Sequence, residues 1–233
     1  EKMRSQIKGL EKAQDNCNDG ISLVQTAEGA LTEVNSMLTR LTELATQSAN
    51  GTYDNTTDRA NIQAEVTQIT AEIDRIAQNT NFNGIKLLDG SLTTGNNGPL
   101  KLQIGPTGKA GSNEGEVIEL SIADMSSTGI AINGISLATQ DGARAAIETI
   151  KTAVNTVSTQ RGNLGALQNR LDHTINNLAA TTENITASES QIRDCNMAKE
   201  MTEFTKNNIL AQAAQSMLAQ ANSAPQGVLQ LLQ

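Results

Sequence analysis

The stretch DGARAAIETIKTAVNTVSTQRGNLGALQNRLDHTINNLAATTENITASESQIRDC, residues 141–195, decides the fold. Within it Ile150, Val157, Leu164, Leu171, Leu178, Ile185 and Ile192 recur every seven residues without a miss. Ala146, Ala153, Leu167, Thr174, Thr181 and Ser188 follow at the alternate seam positions. One apolar stripe on one long helix is the heptad signature of helix-on-helix packing. At about 1.5 Å per residue such a helix is roughly 80 Å long. It cannot bury its stripe against itself, so another segment must lie along it.

The opposite end of the chain supplies that segment. Met3, Leu10, Cys17, Val24, Leu31, Leu38 and Ala45 are also spaced by seven, with Ala13, Ala27, Val34 and Leu41 between them. A shorter stripe follows at Ile62, Val66, Ile69, Ile73 and Ile76. The predicted fold class is mainly α: a long antiparallel, coiled-coil-like helical rod. Such a rod suggests a structural part, although helical architecture alone says little about function.

Composition narrows the function classes. The 233 residues include no Trp, one Tyr (Tyr53) and two Phe (Phe82, Phe204), so Leu, Ile, Val and Ala must fill the core. That suits slender helix packing better than a globular core built on aromatics. The net charge is -8, and the sequence has no basic run and almost nothing to stack on bases, which argues against nucleic-acid binding. No apolar run approaches the length of a membrane span. Two cysteines, Cys17 and Cys195, make no disulfide framework. The carboxylates are dispersed, and His173 has no partner at metal or triad spacing. Gly-rich stretches lack a following Lys-Ser/Thr, so no phosphate loop is present. The expectation is no enzyme, no metal and no cofactor.

In chain order, the first helix is predicted over residues 1–49, stopped by Asn50-Gly51. Gly20 and Gly29 interrupt it, at about 1 kcal/mol each relative to Ala, and are read as points of close backbone approach. Thr57 or Asp58 is placed to cap a second helix that ends near Thr80, where Asn83-Gly84 makes a turn. From about 85 to 140 the period drops toward two: Leu100, Leu102 and Ile104 alternate with polar residues, as do Val117 (with Ile118 beside it), Leu120 and Ile122. These runs predict a small antiparallel hairpin, or part of a short sheet, capping one end of the rod. A tail helix starts near Met197, with a loose apolar stripe and with Pro225 and Gly227 as punctuation. That stripe has no partner in the chain, and exposed apolar surface of this kind needs one. The two seams also place Cys17 opposite Cys195, so that facing residues sum to about 212. Leu41 then lies near Leu171, Val24 near Ser188 and Arg40 near Arg170. The pair is read as proximal thiols, with a disulfide as the further possibility.

Several strings make the chain resemble bacterial flagellin along nearly its whole length. They are NDGISLVQTAEGALTEVNSMLTRLTELATQSANGT (18–52), IQAEVTQITAEIDRIAQNTNFNGIKLLDG (62–90), LQIG (102–105), LGALQNRL (164–171) and ILAQAAQSMLAQANSAPQGVLQLLQ (209–233). The resemblance implies a helical shaft domain over 1–195, with its β element at about 85–140. It further implies that 196–233 are the C-terminal half of the filament's inner-tube domain. It also implies that an inner-tube segment before Glu1, carrying the export signal, is missing and that large outer domains are lacking. A chain so truncated is expected to be a monomer or a weak oligomer.

The partners the resemblance implies are other flagellin subunits, a flagellar export chaperone and Toll-like receptor 5, at an extracellular, secreted location. The family's receptor-reading stretch maps onto Leu38, Arg40, Glu43, Leu44 and Gln47, where Thr39 and Thr42 replace the usual Gln and second Arg. Ile62, Glu65 and Arg170 complete the implied surface. Leu229, Leu231 and Leu232 resemble leucines read by intracellular flagellin sensors. A hook–filament junction protein has similar terminal helices and is the alternative, as is a role as receptor ligand alone. The SANGT, NFNGIKLLDG and QGVLQLLQ stretches favour flagellin itself.

Overall fold

In the computed structural model the described residues are 1–93, 98–106, 116–194 and 196–231, with 223–231 described by their backbone alone. The chain divides into two compact units, Glu1–Ile185 and Thr186–Gln233.

In the first unit, α1 spans Lys2–Ser48 and α2 spans Asp58–Asn79. Two short antiparallel hairpins follow: β1 (Asn81–Phe82) with β2 (Ile85–Lys86), and β3 (Leu100–Gln103) with β4 (Val117–Leu120). The third helix, α3 (Gln140–Arg193), runs from the first unit into the second. The second unit holds α4, Met197–Leu231. The helix runs through Pro225 and Gly227 instead of stopping there.

The heptad columns are the buried columns. On α1, Leu10, Cys17, Val24, Leu31, Leu38 and Ala45 are buried; on α3, Ile150, Val157, Leu164, Leu171 and Leu178 are. Each such aliphatic side chain contributes roughly 1.5–3 kcal/mol by leaving water. The column fades toward its end: Ile185 is half-buried, and Ile192 is 75% exposed.

α1 and α3 run antiparallel, but not in the register expected from the cysteines. Gly20 lies against Leu171, Glu28 pairs with Arg161, and the Gln140 side chain donates to the Ala49 carbonyl at 3.0 Å. Facing residues therefore sum to about 190, so α3 is shifted by about 22 residues, or some 33 Å, from the expected alignment. Leu171 sits near Gly20, not Leu41. Cys17 packs in a cluster with Leu10, Ala13, Leu171 and Leu178. Cys195 lies outside the described residues.

Two cores stand in series along the α1–α3 pair. Beside the C-terminal half of α1, the third layer is α2 together with the segments around Leu87–Leu92 and Ile122–Leu137. Beside the N-terminal half it is the β3–β4 hairpin, whose Ile118 joins Leu10, Cys17 and Leu171. The hairpin is the predicted one, with Leu100 opposite Leu120 and Leu102 opposite Ile118. It flanks α1, touching Gly9 through Pro106 and Gly20 through Leu102, instead of covering the helix tips. Asn16 Nδ2 donates to the Gln103 carbonyl at 2.9 Å and holds it there. Close approach thus explains Gly20, but not Gly29, where an added Cβ would meet open space.

The segment from Ser121 to Thr139 is irregular and buries Ile122, Met125, Ser127, Ile130, Ile132 and Leu137, so the backbone polar groups beside them need partners. Side chains of the helices supply them. Asp74 accepts from the N–H and the hydroxyl of Ser127, both at 2.8 Å. Gln63 accepts from the Leu137 N–H at 2.6 Å, and Ser48 Oγ donates to the Leu137 carbonyl at 2.6 Å. Period-two reasoning could not find this segment, because its order comes from distant side chains.

Candidate interaction surface around Arg40

The surface is built where α1 ends and α2 returns beside it. A helix C-terminus leaves carbonyls without intrahelical donors and carries a partial negative charge. Arg59, buried in the first turn of α2, meets that end. Its Nε donates to the Ser48 carbonyl at 2.9 Å, Nη2 to Asn50 O at 2.7 Å and Nη1 to Tyr53 O at 2.6 Å. This clamp folds the 49–57 loop and brings Tyr53 over α1, where Gln47 Nε2 donates to its hydroxyl at 3.1 Å. Arg59 lies three residues before Ile62, on the apolar column of α2. A lone Arg on a core column was the sequence signal for it.

Thr57 occupies the N-cap position of α2 but makes no side-chain cap bond, contrary to the sequence expectation. Asp54 orders the turn before the helix, accepting from the N–H groups of Thr56 and Thr57 at 3.0 and 3.1 Å and from the Thr56 hydroxyl. The Thr56 hydroxyl, followed by the backbone donors, holds the Asp54 carboxyl below its ordinary pKa. Asp58 returns the favour by accepting from the Asp54 N–H at 3.1 Å.

With α2 fixed, Glu65 faces Arg40. Arg40 Nε donates to Glu65 Oε1 at 2.9 Å and Nη1 to Glu43 Oε2 at 3.1 Å, with half of the Arg40 side chain exposed. The hydrogen bond to Glu65, then that to Glu43, raises the guanidinium's pKa. In water such pairs add little stability; their effect is to hold the Arg40 fork in one pose. Next to it a groove of about 790 Å³ opens between α1 and α3, walled by Thr42, Thr46, Tyr53, Ile147 and Val154, with Glu43 and Lys151 at its rim.

The structure thus gathers Arg40, Glu43, Glu65 and Gln47 on one face. It does not offer Leu38, Leu44 or Ile62 to a partner: all three are buried core residues that hold the helices under that face. Nor does it bring Arg170 there. The α3 residues beside this face are Ile147, Lys151 and Val154, and Arg170 is about 20 residues, roughly 30 Å, farther along α3. His173 is exposed. Burial pushes the Cys17 thiol pKa up. Among the described residues no group of His, Cys, Asp and Glu could hold a metal ion, and no helix is long and apolar enough to cross a membrane. The side chains of Leu229 and Leu231, and Leu232 entirely, lie outside the described residues.

The second unit presents a different surface. Met197, Met201, Phe204, Ile209, Leu210, Met217 and Leu218 are all more than half exposed on α4. At 100° per residue they point to every side of the helix, where an ordinary amphipathic surface helix has one apolar stripe.

Comparison with known proteins places the whole chain in one family. Residues 1–93 match the bacterial flagellin N-terminal helical region, and residues 147–232 match the bacterial flagellin C-terminal helical region. The chain is 49% identical over 234 residues to a flagellin of Halalkalibacterium halodurans, covering 100% of this chain and 82% of that protein. It is 50% identical over 260 residues to a flagellin of Bacillus subtilis, covering 100% and 84%. The crystal structure of Bacillus cereus flagellin matches with a TM-score of 0.59 and 31% identity, over 75% of this chain and 94% of that one. Matches at both ends and along the whole chain lead to one assignment: the chain belongs to the bacterial flagellin family, whose members are structural subunits of the flagellar filament and not enzymes.

Proposed function

We propose that the chain's parts divide the work of a filament subunit. Residues 1–195 form a shaft, and 196–233 form one half of an inner tube that polymerises with copies of itself. The observation that carries this reading is the apolar residues exposed on all sides of α4. A helix apolar all round is one that is buried in its working state, and copies of the same chain supply the cover in a homopolymer. The same residues are the surface an export chaperone would shield before assembly. Leu229, Leu231 and Leu232 would serve first in tube packing and second as the residues an intracellular sensor reads. Cells carrying the gene with Met201→Asp and Phe204→Asp test the tube role. Electron microscopy is expected to find no filaments, while the melting of the purified shaft stays unchanged. Normal filaments would overturn the reading.

A second reading is favoured by one arrangement. Arg40, held by Glu65 and Glu43 with Gln47 close by, presents a half-exposed guanidinium in a fixed pose. Arg is a frequent anchor of protein interfaces because its planar fork loses little freedom on binding. We read this face as the one that Toll-like receptor 5 would recognise, with Leu38, Leu44 and Ile62 as its support and without Arg170. A binding titration with the receptor ectodomain tests it.

A further inference from the structure

We propose that Met197, Met201 and Met217 are sites of reversible oxidation by hydroperoxides, open in the free chain and closed in the polymer. Conversion of their thioethers to sulfoxides stops α4 from polymerising until a methionine sulfoxide reductase restores them. The inference rests on the subunit role given above for α4 and adds a chemical control of it.

The fold sorts the chain's six methionines into two sets. Met125 is fully buried, Met37 packs against the same core, and Met3 is half-buried on α1. Met197, Met201 and Met217 are instead 65%, 54% and 74% exposed on α4. A peroxide must reach the sulfur to oxidise it, so these three are attacked first. Cys17 does not compete, because it is fully buried in the cluster around Leu171. Leu210 and Leu218 are exposed on the same helix but carry no oxidisable atom, so the chemistry is confined to the thioethers.

The step needs only a hydroperoxide. A sulfur lone pair attacks the terminal peroxide oxygen, an S–O bond forms as the O–O bond breaks, and sulfur is oxidised by two electrons. The proton of the transferred hydroxyl passes to the departing oxygen, which leaves as water or an alcohol. A flexible apolar side chain has become a polar one. Met201 lies about 40° around the helix from Met197, and Met217 lies about 160° from both, so sulfoxides stand on opposite sides. No rotation of α4 about its axis can turn all three to water. A sulfoxide packed against apolar neighbours without a donor is penalised like any unsatisfied polar group. The cover that copies give α4 in a polymer also closes its sulfurs to peroxide. Oxidation therefore switches off free chains and spares assembled ones, and the sulfoxide reductases, one for each epimer, reverse it.

The test uses filaments from cells carrying the gene, melted to single chains by mild heating and then repolymerised. Single chains are treated with hydrogen peroxide, and peptide mass mapping follows each methionine. Met197, Met201 and Met217 are expected to gain one oxygen at least about tenfold faster than Met125 in single chains, and to stay reduced in intact filaments. The oxidised chains are expected to form no filaments under the electron microscope. Sulfoxide reductases supplied with a thiol are expected to restore assembly, and the thiol alone is not. A chain with Met197→Leu, Met201→Leu and Met217→Leu is expected to assemble and to lose its peroxide sensitivity. Normal filaments from fully oxidised chains would overturn the switch and leave the subunit role intact, as would a leucine variant that stays peroxide-sensitive. Equal oxidation in filaments and single chains would likewise overturn it. Untreated chains that never polymerise would overturn both. Should the leucine variant fail to assemble, the reductase decides, and no rescue overturns the proposal.

Discussion

Arg161 on α3 donates to Glu28 on α1 across 3.4 Å, with about a third of each side chain exposed. The pair lies midway along the two helices, between the cluster around Leu171 and the one around Ile150. It fixes which turn of one helix faces which turn of the other.

Leu171 belongs to the cluster on one side of that pair. Fully buried beside Cys17 and Gly20, it is expected to cost about 2–5 kcal/mol on replacement by Ala, in the range of large-to-small core changes. Exposed His173, two residues on, is expected to tolerate Ala within about 0.5 kcal/mol. Urea denaturation of the two variants checks the order, and the reverse ranking would remove the seam assignment.

The Arg59 clamp gives a second prediction. Arg59→Ala leaves the carbonyls of Ser48, Asn50 and Tyr53 without their side-chain donor, at an expected cost of about 2–4 kcal/mol. Arg59→Lys supplies one ammonium where three carbonyls are spread around a fork, so it is expected to recover only part of the loss. Faster amide exchange across residues 49–57 in both variants is the accompanying signature.

The two glycines of α1 are expected to behave oppositely. Gly29→Ala places a methyl in open space and should stabilise by up to about 1 kcal/mol, the helix-propensity difference. At Gly20 an added Cβ comes to 2.7 Å from Leu102 Cδ1. Gly20→Val is therefore expected to destabilise by roughly 1–3 kcal/mol through overpacking. Thermal melts of the pair distinguish the sites.

Asp54 sets a pH dependence. Its folded pKa lies below the ordinary aspartate value of about 3.9, because the Thr56 hydroxyl and backbone N–H groups favour the carboxylate. Its contribution is thus complete above the unfolded value and disappears as pH falls through the folded one. Asp54→Asn is expected to flatten that acid limb of the stability curve and to leave the neutral-to-alkaline limb unchanged. An unaltered acid limb in denaturation midpoints measured below pH 4 would rule this out.

For the receptor reading, Arg40→Ala is expected to weaken binding by at least about 1–2 kcal/mol, as an interface anchor does. The same change should move stability by no more than a few tenths of a kcal/mol, because its pairs are exposed. Thr39→Gln and Thr42→Arg are expected to strengthen binding, and Arg170→Ala to leave it unchanged. Calorimetric titration of the four variants checks the set.

Which residues would be buried was written in the sequence. A strict seven-residue period puts one column on one face of a helix, and the columns led by Leu10, Ile62 and Ile150 are the ones that form the core. The alternation around Leu102 likewise marked the hairpin's strands, and the structure pairs Leu102 with Ile118. The alignment of α1 with α3 was not written there. Sliding one helix by three heptads, 21 residues, still sets seam residue against seam residue, so a register near 212 and one near 190 satisfy the period almost equally. Features off the seam break that degeneracy: the Glu28–Arg161 pair, Gln140 on the Ala49 carbonyl, and a glycine at 20 where Leu102 and Leu171 close in. Arg59 and Asp54 belong with these, since a side chain that satisfies distant backbone groups carries no period of its own. Local periodicity therefore decided the faces, and only long-range polar and steric contacts decided which faces meet.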